Sequence, residues 1–253
     1  MNKIILNARL FGLALISCLT FSTSVLADGN KIPSQGTWNV DLSARDFNGD
    51  LIADAYYDSA LNITWLSSAG GNNASMTWAE ATAWAATFSV GGETGWRLPR
   101  TVDFGNDGCN FGDANSGMGK DCGYRPAPSS SELAHLYYIT LGNQGDTLGN
   151  HTKSWLENAG PFVHVQAQIS NGLYWSETNA ITDPNKAWVF ATYDGWQNIV
   201  GKASNQLPVW VVHDGDIGIS AVPESKIGLL MLFGLFFICV IRNRSLLAGK
   251  PIQ

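Results

Sequence analysis

Oxygen-bearing side chains alternate along one short stretch near the start of the body of the chain. The set is Asp46, Asn48, Asp50 and Asp54. Carboxylate and amide oxygens at this spacing can wrap a hard cation, so calcium is the predicted ligand. An EF-hand loop would have glycine where Leu51 stands and a bidentate glutamate near Tyr57, and both are absent. The alternative is a solvated turn in which the side chains bond to the backbone.

A second loop combines acidic residues with a pair of cysteines. Its oxygen donors are Asp103, Asn106, Asp107, Asn110, Asp113 and Asp121. Cys109 and Cys122 enclose most of it, and in an exported protein they are expected to form a disulfide, worth about 3 kcal/mol for a loop of this size. A metal pair or a catalytic thiol is the alternative, but no histidine is near in sequence. The sequence favours a surface loop held by the disulfide.

One tryptophan is the first choice for contacting a sugar. Asp194 and Gly195 stand between two apolar stretches and predict a hairpin turn, with Trp196 directly after it. An exposed indole at such a tip could stack on a sugar ring, with Asp194 beside it. The other tryptophans of the body are expected mostly in the core.

The residues that usually carry catalysis are scattered. The histidines are His135, His151, His164 and His213, without the spacing of a metallohydrolase. Neither a Gly-x-Ser-x-Gly motif nor a phosphate-binding glycine loop occurs in the sequence. We therefore predict a protein without enzymatic activity.

The net charge of the body argues against several classes of binding partner. Residues 28–222 carry nine basic and twenty acidic side chains, a net charge of −11. This balance argues against nucleic acid, anionic lipid surfaces and heavily sulfated polymers. Neutral ligands and divalent cations suit it better.

The elements that must position these residues can be predicted from local signals. Residues 37–66 predict short strands around a loop. Thr77 and Glu80 form a capping box that opens a helix ending about Phe88. The predicted buried face of this helix is Trp78, Ala81, Ala85 and Phe88.

A second helix is predicted after the disulfide loop. Ser129 and Glu132 form its capping box, and Gly142 ends it. Its predicted buried stripe is Leu133, Leu136, Tyr137 and Leu141. Strand-like, turn-rich sequence follows, so the body is predicted to be an α+β domain with two main helices and an antiparallel sheet.

Both ends of the chain carry apolar runs with the features of targeting signals. Residues 1–27 have Lys3 and Arg9, a short apolar run and small residues before Asp28, which predicts a cleaved signal peptide. The alternative is a lipoprotein signal with Cys18 as the lipidated residue. At the other end, a transmembrane helix is predicted at about 226–241; its fifteen uncharged residues from Ile227 span about 22 Å.

The tail resembles a PEP-CTERM sorting signal. Its motif is Pro223, Glu224 and Ser225, followed by the apolar helix and then by Arg242 and Arg244. The arginines predict a cytoplasmic end, with the body outside. The resemblance implies that an exosortase-type enzyme recognises residues 223–253 and releases the body to the surface or beyond. The alternative is a plain C-terminal membrane anchor.

The body, residues 28–222, resembles the Lcl C-terminal domain family. The resemblance rests on Gly95 to Pro99, Glu132-Leu133, Tyr174 to Ser176, Ala187-Trp188 and Val209 to Val212. It implies a fold similar to C-type lectins and formylglycine-generating enzymes, no settled enzymatic activity, and polysaccharide binding at a surface. Arg100 stands where the family pattern continues with threonine.

The Trp96-Arg97-Leu98-Pro99 segment also has a purely structural interpretation. Trp96 and Leu98 alternate toward one side, and Arg97 can pair with a carboxylate or cap carbonyl groups. Pro99 then stops the strand. We expect a structural corner rather than a binding site.

These observations predict an exported, non-enzymatic surface or matrix protein that binds extracellular polysaccharide, with calcium as its one candidate cofactor. Before processing it would be held in the inner membrane with its body in the periplasm. One alternative is a structural envelope component with no discrete ligand. The other is an enzyme on a formylglycine-generating scaffold.

Overall fold

Two four-stranded antiparallel sheets form the framework of the computed structural model, which describes residues 36–70, 74–109, 121–146, 156–166 and 172–218. The first sheet has the order β1 (Leu42–Arg45), β2 (Ala55–Asp58), β3 (Ile63–Leu66) and β8 (Val212–Asp214). The second has the order β4 (Gly123–Tyr124), β7 (Trp196–Gly201), β6 (Lys186–Ala191) and β5 (Leu173–Asn179). The α+β class is confirmed, with two sheets where the sequence predicted one.

Strand β8 closes the first sheet although it comes late in the chain. It pairs with β3, placing His213 opposite Thr64. Val212 also exchanges backbone hydrogen bonds of 2.8 and 2.9 Å with Arg97. The end of β8 therefore lies beside the Trp96–Pro99 segment, which forms an isolated bridge rather than the predicted strand.

The first predicted helix is confirmed, including its cap. Helix α2 spans Trp78–Thr87 and follows a short helix α1, Trp38–Asp41. The Thr77 backbone N–H donates to Glu80 at 2.9 Å, and the Glu80 N–H returns to the Thr77 hydroxyl, which completes the capping box. Ala81 and Ala85 are buried as predicted.

The second helix begins two residues later than predicted. Ser129 lies in a 3₁₀ turn, and Ser131 is the N-cap, accepting from the Ala134 N–H at 2.9 Å. Helix α3, Glu132–His135, continues as a π-helical turn, Leu136–Thr140. The predicted stripe of Leu133, Leu136, Tyr137 and Leu141 is buried. Gly142, with φ of 69°, follows the last turn as predicted.

The core is built largely from aromatic rings. The tryptophans with at most 2% exposure are Trp65, Trp96, Trp175, Trp188 and Trp210. The Trp65 and Trp210 ring centroids are 5.2 Å apart, and Phe162 packs against Trp210 edge-on. The expectation that most tryptophans lie in the core is confirmed for the described residues.

The targeting predictions fall outside the described residues. This applies to the signal peptide at 1–27 and to the tail at 223–253, with Pro223, Glu224, Ser225, Arg242 and Arg244. Within the described ranges, no helix has the length and apolar character needed to cross a membrane.

Candidate functional site

Asp46 organises the acidic loop between β1 and β2. Its Oδ1 accepts from the backbone N–H groups of Gly49 and Asn48 at 2.6 and 3.1 Å, and its Oδ2 accepts from Leu51 at 2.8 Å. Burial opposes the charge, but the backbone donors outweigh it and hold the pKa of Asp46 below its ordinary value. Both oxygens of this predicted calcium ligand thus already hold the turn.

The other three predicted ligands make similar bonds. Asn48 accepts from the N–H of Asp50 at 2.8 Å, Asp50 from Ile52 at 2.8 Å, and Asp54 from Phe47 at 2.7 Å. This is the bonding of a polar turn. No group of three or more His, Cys, Asp or Glu residues in the described ranges is arranged to hold a metal ion. Calcium binding here stays a prediction.

Several contacts hold the two ends of the second acidic loop. Cys109 and Cys122 lie at disulfide distance, with their Cα atoms 5.3 Å apart. Asp103 accepts from the N–H groups of Asp107 and Gly108 at about 3 Å, and Asp121 accepts from Phe104. Asn110 and Asp113 lie outside the described residues. The loop is therefore anchored at its base by side-chain to backbone bonds.

Burial raises the pKa of Asp121 above its ordinary value. The N–H of Phe104 opposes this rise, while the charges of Asp103 and Asp107 add to it. Asp103 and Asp107 are therefore close enough to repel the carboxylate of Asp121 at the base of the disulfide loop. Such repulsion is what a cation would relieve, but it is also common at the base of a polar loop.

Arg97 uses all five of its N–H donors within the protein. Two go to the carboxylate of Glu132, at 2.8 and 2.7 Å, and one goes to the carbonyl of Leu98 at 3.0 Å. The remaining two go to Asp214 at the end of β8. Its side chain is only 11% exposed. Arg97 thus pairs with carboxylates and caps a carbonyl, as the sequence predicted for a structural corner.

The electrostatics of this corner follow from its geometry. Burial would lower the pKa of Arg97, but the bonds to Glu132 and Asp214 outweigh it and raise the pKa. The hydrogen bond from Arg97 in turn lowers the pKa of Asp214. Glu132 also accepts from the backbone N–H of Arg100 at 2.8 Å. Arg97 therefore ties helix α3 to β8 and has no donor left for a ligand.

A buried glutamine that the sequence did not single out joins three segments. Gln197, with no exposed surface, lies on β7. Its amide nitrogen donates to the carbonyl of Asp121 and to the hydroxyl of Ser130, and its oxygen accepts from the hydroxyl of Ser131 at 2.6 Å. Nothing in the sequence distinguishes this glutamine from an exposed one. It connects the disulfide loop, the N-cap of α3 and the strand that begins with Trp196.

The predicted hairpin turn at Asp194 and Gly195 is present between β6 and β7, but Asp194 is not at an exposed tip. Asp194 is fully buried, because the turn packs against the helical segment: the Tyr138 hydroxyl donates to the Gly195 carbonyl at 2.7 Å. Its carboxylate accepts from the N–H of Trp196 at 3.0 Å. The structure therefore places Asp194 beneath Trp196, where it fixes the backbone and cannot touch a ligand at the surface.

Trp196 itself differs from the other half-buried tryptophans of the described residues. Trp38, Trp78 and Trp84 pack against the hydrophobic core, whereas Trp196 does not. Tyr124 stands directly opposite it on β4, is also half-buried and also lies off the core. Asn198, two residues along β7, projects from the same face of the sheet. We call Trp196, Tyr124 and Asn198 the aromatic face.

The described histidines do not converge on one site. His213 contacts the carbonyl of Asp214 at 2.7 Å, and His164 contacts the hydroxyl of Ser68 at 3.1 Å. No carboxylate hydrogen-bonds to His164 in the part of the chain that the structure describes. A nucleophile and base normally need such a third group to orient the base. An enzymatic interpretation would have to start from this Ser68–His164 pair.

Comparisons with protein-family models, with curated proteins and with solved structures found no match to the chain.

Proposed function

We propose that the protein is an exported, non-enzymatic surface or matrix protein that binds extracellular polysaccharide through the aromatic face. The observation that carries this proposal is the position of Trp196. It is a large half-buried indole that does not pack against the main hydrophobic core, and it stands opposite a second half-buried ring, that of Tyr124. A large aromatic ring that reaches the surface outside the main hydrophobic core is typical of a contact site.

The chemistry of the aromatic face suits a neutral sugar. Aromatic rings provide flat apolar area for the C–H face of a pyranose, and the amide of Asn198 provides hydrogen bonds to hydroxyl groups. The turn below is held by Asp194, so the indole is positioned before a ligand arrives. The charge of −11 over residues 28–222 disfavours sulfated or other polyanionic glycans.

The finer assignments are part of the same proposal. The proposed membership of the Lcl C-terminal domain family, with its C-type-lectin-like fold, rests on the sequence motifs. Four tryptophans of these motifs, Trp96, Trp175, Trp188 and Trp210, are buried in the structure. Export is supported by the disulfide distance between Cys109 and Cys122. Release by an exosortase-type enzyme rests on the tail sequence, and calcium on the loop of Asp46.

Binding of the full chain to polysaccharide from the producing bacterium tests the proposal. We expect saturable binding, a loss of at least about tenfold in Trp196→Ala, and a smaller loss in Asn198→Ala. Trp84→Ala is the matched control, because Trp84 is also half-buried but packs against the core. The centroid of its ring lies 4.6 Å from that of Phe88. It should bind as the wild type does. Melting curves of each variant establish that the protein is folded.

Two outcomes would contradict the proposal. Absence of saturable binding by the wild type, with and without calcium, would favour the structural component without a ligand. Equal loss in the Trp84→Ala and Trp196→Ala variants would show that folding, not the aromatic face, had been disturbed.

A further inference from the structure

Two consecutive apolar side chains project from the acidic loop between β1 and β2. Leu51 is 78% exposed and Ile52 is 70% exposed. Such side chains stabilise a fold when they are buried, and these two bury little of their surface. Single exposed apolar residues are normal at a protein surface, so a second observation is needed before they indicate a contact. We call Leu51 and Ile52 the apolar pair.

The backbone of Leu51 provides the second observation. Its φ is 71°, in the left-handed region that glycine and asparagine adopt readily and that leucine adopts at a cost. The N–H of Leu51 donates to Asp46 Oδ2 at 2.8 Å, which holds this conformation. Neither core packing nor backbone preference accounts for a large apolar residue here. A contact with something outside the described residues would account for it.

The C-terminal end of the described body lies beside the same loop. Arg45, the last residue of β1, donates through Nε and Nη2 to the two carboxylate oxygens of Asp216 at 2.6 and 2.8 Å. Gly218, the last described residue, lies so close to the Phe47 ring that a side chain at this position would collide with it. The chain therefore leaves the described body at the base of the loop that carries the apolar pair.

The position of this chain end limits how far the loop can lie from a membrane. The transmembrane helix predicted from the sequence begins at about residue 226, about eight residues after Gly218. Eight residues span at most about 28 Å when they are fully extended. A bilayer that holds this helix must therefore lie within about 28 Å of the base of the loop.

We propose that the apolar pair docks on the surface of the bilayer that holds the tail before processing. The two side chains enter the boundary between headgroups and acyl chains, where their apolar area is removed from water. A zwitterionic surface suits the site, because the net charge of −11 over residues 28–222 disfavours anionic lipid. The inference rests on the proposed insertion of the tail and is independent of polysaccharide binding.

The acidic groups of the loop permit this docking. Asp46 is buried and gives both of its oxygens to backbone N–H groups. Asp54 also accepts a backbone N–H, at 2.7 Å. Asp50 is exposed and accepts from the N–H of Ile52 at 2.8 Å, and it stays at the level of the polar headgroups. The loop thus carries one exposed carboxylate beside two exposed apolar side chains.

Fluorescence quenching by lipid in the full chain tests the proposal. The chain is placed in phosphatidylcholine nanodiscs with a chelator and without other proteins, and Ile52→Cys carries an environment-sensitive fluorophore. Val40→Cys is the matched control, because Val40 is 72% exposed and lies in α1, at the opposite end of β1 and about 13 Å of strand away. The labelled wild type gives the background from native cysteines. Lipids with a nitroxide near the headgroup should quench the label at position 52 several-fold more than the label at position 40.

The other outcomes would each overturn the proposal. Equal quenching at the two positions, or none at position 52, would show that the loop does not meet the bilayer. A blue shift at position 52 without quenching would show that a second copy of the chain covers the apolar pair. Failure of the chain to enter the nanodisc would remove the predicted transmembrane helix, and the polysaccharide-binding experiment would be unaffected.

A substitution at Leu51 separates docking from a role in folding. Asparagine suits a φ of 71° better than leucine does, so Leu51→Asn should not lower the melting temperature. It should nevertheless reduce the quenching at position 52 several-fold, because an apolar side chain is lost. Val40→Asn, which removes an equally exposed side chain, should keep the full quenching. Unchanged quenching in Leu51→Asn, or a lower melting temperature, would overturn the proposal.

Discussion

Arg97 and Glu132 face each other through two parallel hydrogen bonds of 2.8 and 2.7 Å, across 35 residues of sequence. The bidentate geometry depends on the planar guanidinium group, which a lysine cannot reproduce. The same guanidinium reaches Asp214, which lies 117 residues further along the chain. One side chain thus holds helix α3 and strand β8 in place.

We expect Arg97→Lys to lower the free energy of unfolding by on the order of 2–3 kcal/mol, because the charge is kept but most of the hydrogen bonds are lost. Arg100→Lys is the matched control. Arg100 contacts Glu177 at 2.7 Å, but its side chain is 49% exposed, so the cost should be under about 1 kcal/mol. Urea unfolding measures both, and similar costs would contradict the structural role assigned to Arg97.

Replacing both Cys109 and Cys122 with serine should lower the free energy of unfolding by about 3 kcal/mol, because the open chain gains entropy when unfolded. Wild-type protein in a reducing agent should unfold like the double variant, and the agent should leave the double variant unchanged. Alkylation of native, exported protein provides the check on redox state. Free thiols at both positions would contradict the disulfide.

Local signals predicted the elements that depend on a few neighbouring residues. Thr77 and Glu80 are three residues apart and suffice to cap α2, and Asp194-Gly195 suffices to form a turn. The buried stripe of the second helix also follows from its period. Each of these features is decided within one turn of a helix or one hairpin.

The errors arose where distant contacts decided the outcome. Ser129 fitted the capping pattern with Glu132, but Glu132 binds the distant Arg97 and Ser131, which also donates to the buried Gln197, caps the helix. Asp194 was expected at the surface because turn residues usually are, yet the Tyr138 hydroxyl and the turn pack together. The partner of Trp196, Tyr124 on β4, lies 72 residues earlier and no local pattern connects them.

Calcium, if it binds the loop of Asp46, should raise the melting temperature of the full chain relative to chelator. A ligand that binds only the native state at 100 times its Kd adds about 2.7 kcal/mol. Asp50→Asn should reduce this shift, since the amide oxygen can still accept from Ile52 but one charge is lost. Asp183→Asn is the matched control, because Asp183 accepts from the N–H of Asn185 in another polar turn. This variant should keep the full shift in melting temperature. An unchanged melting curve for the wild type would remove this loop from the calcium sites.

Acid should weaken the contact between Asp214 and Arg97. The hydrogen bond from Arg97 holds the pKa of Asp214 below its ordinary value of 3.8, to which it returns on unfolding. Between those two values the unfolded chain binds more protons, so this contribution to stability falls as the pH drops through about 4 and is absent below the folded pKa. Because Asp214 is 60% exposed, the contribution should be under about 1 kcal/mol. Asp214→Asn should therefore be slightly less stable than wild type at pH 7, with the difference shrinking as the pH falls below about 4. Subtracting the two urea-unfolding curves at each pH cancels the opposite titration of Asp58 and Asp121, whose pKa values burial raises. A difference that stays constant with pH would show that the variant acts through packing and not through the charge of Asp214.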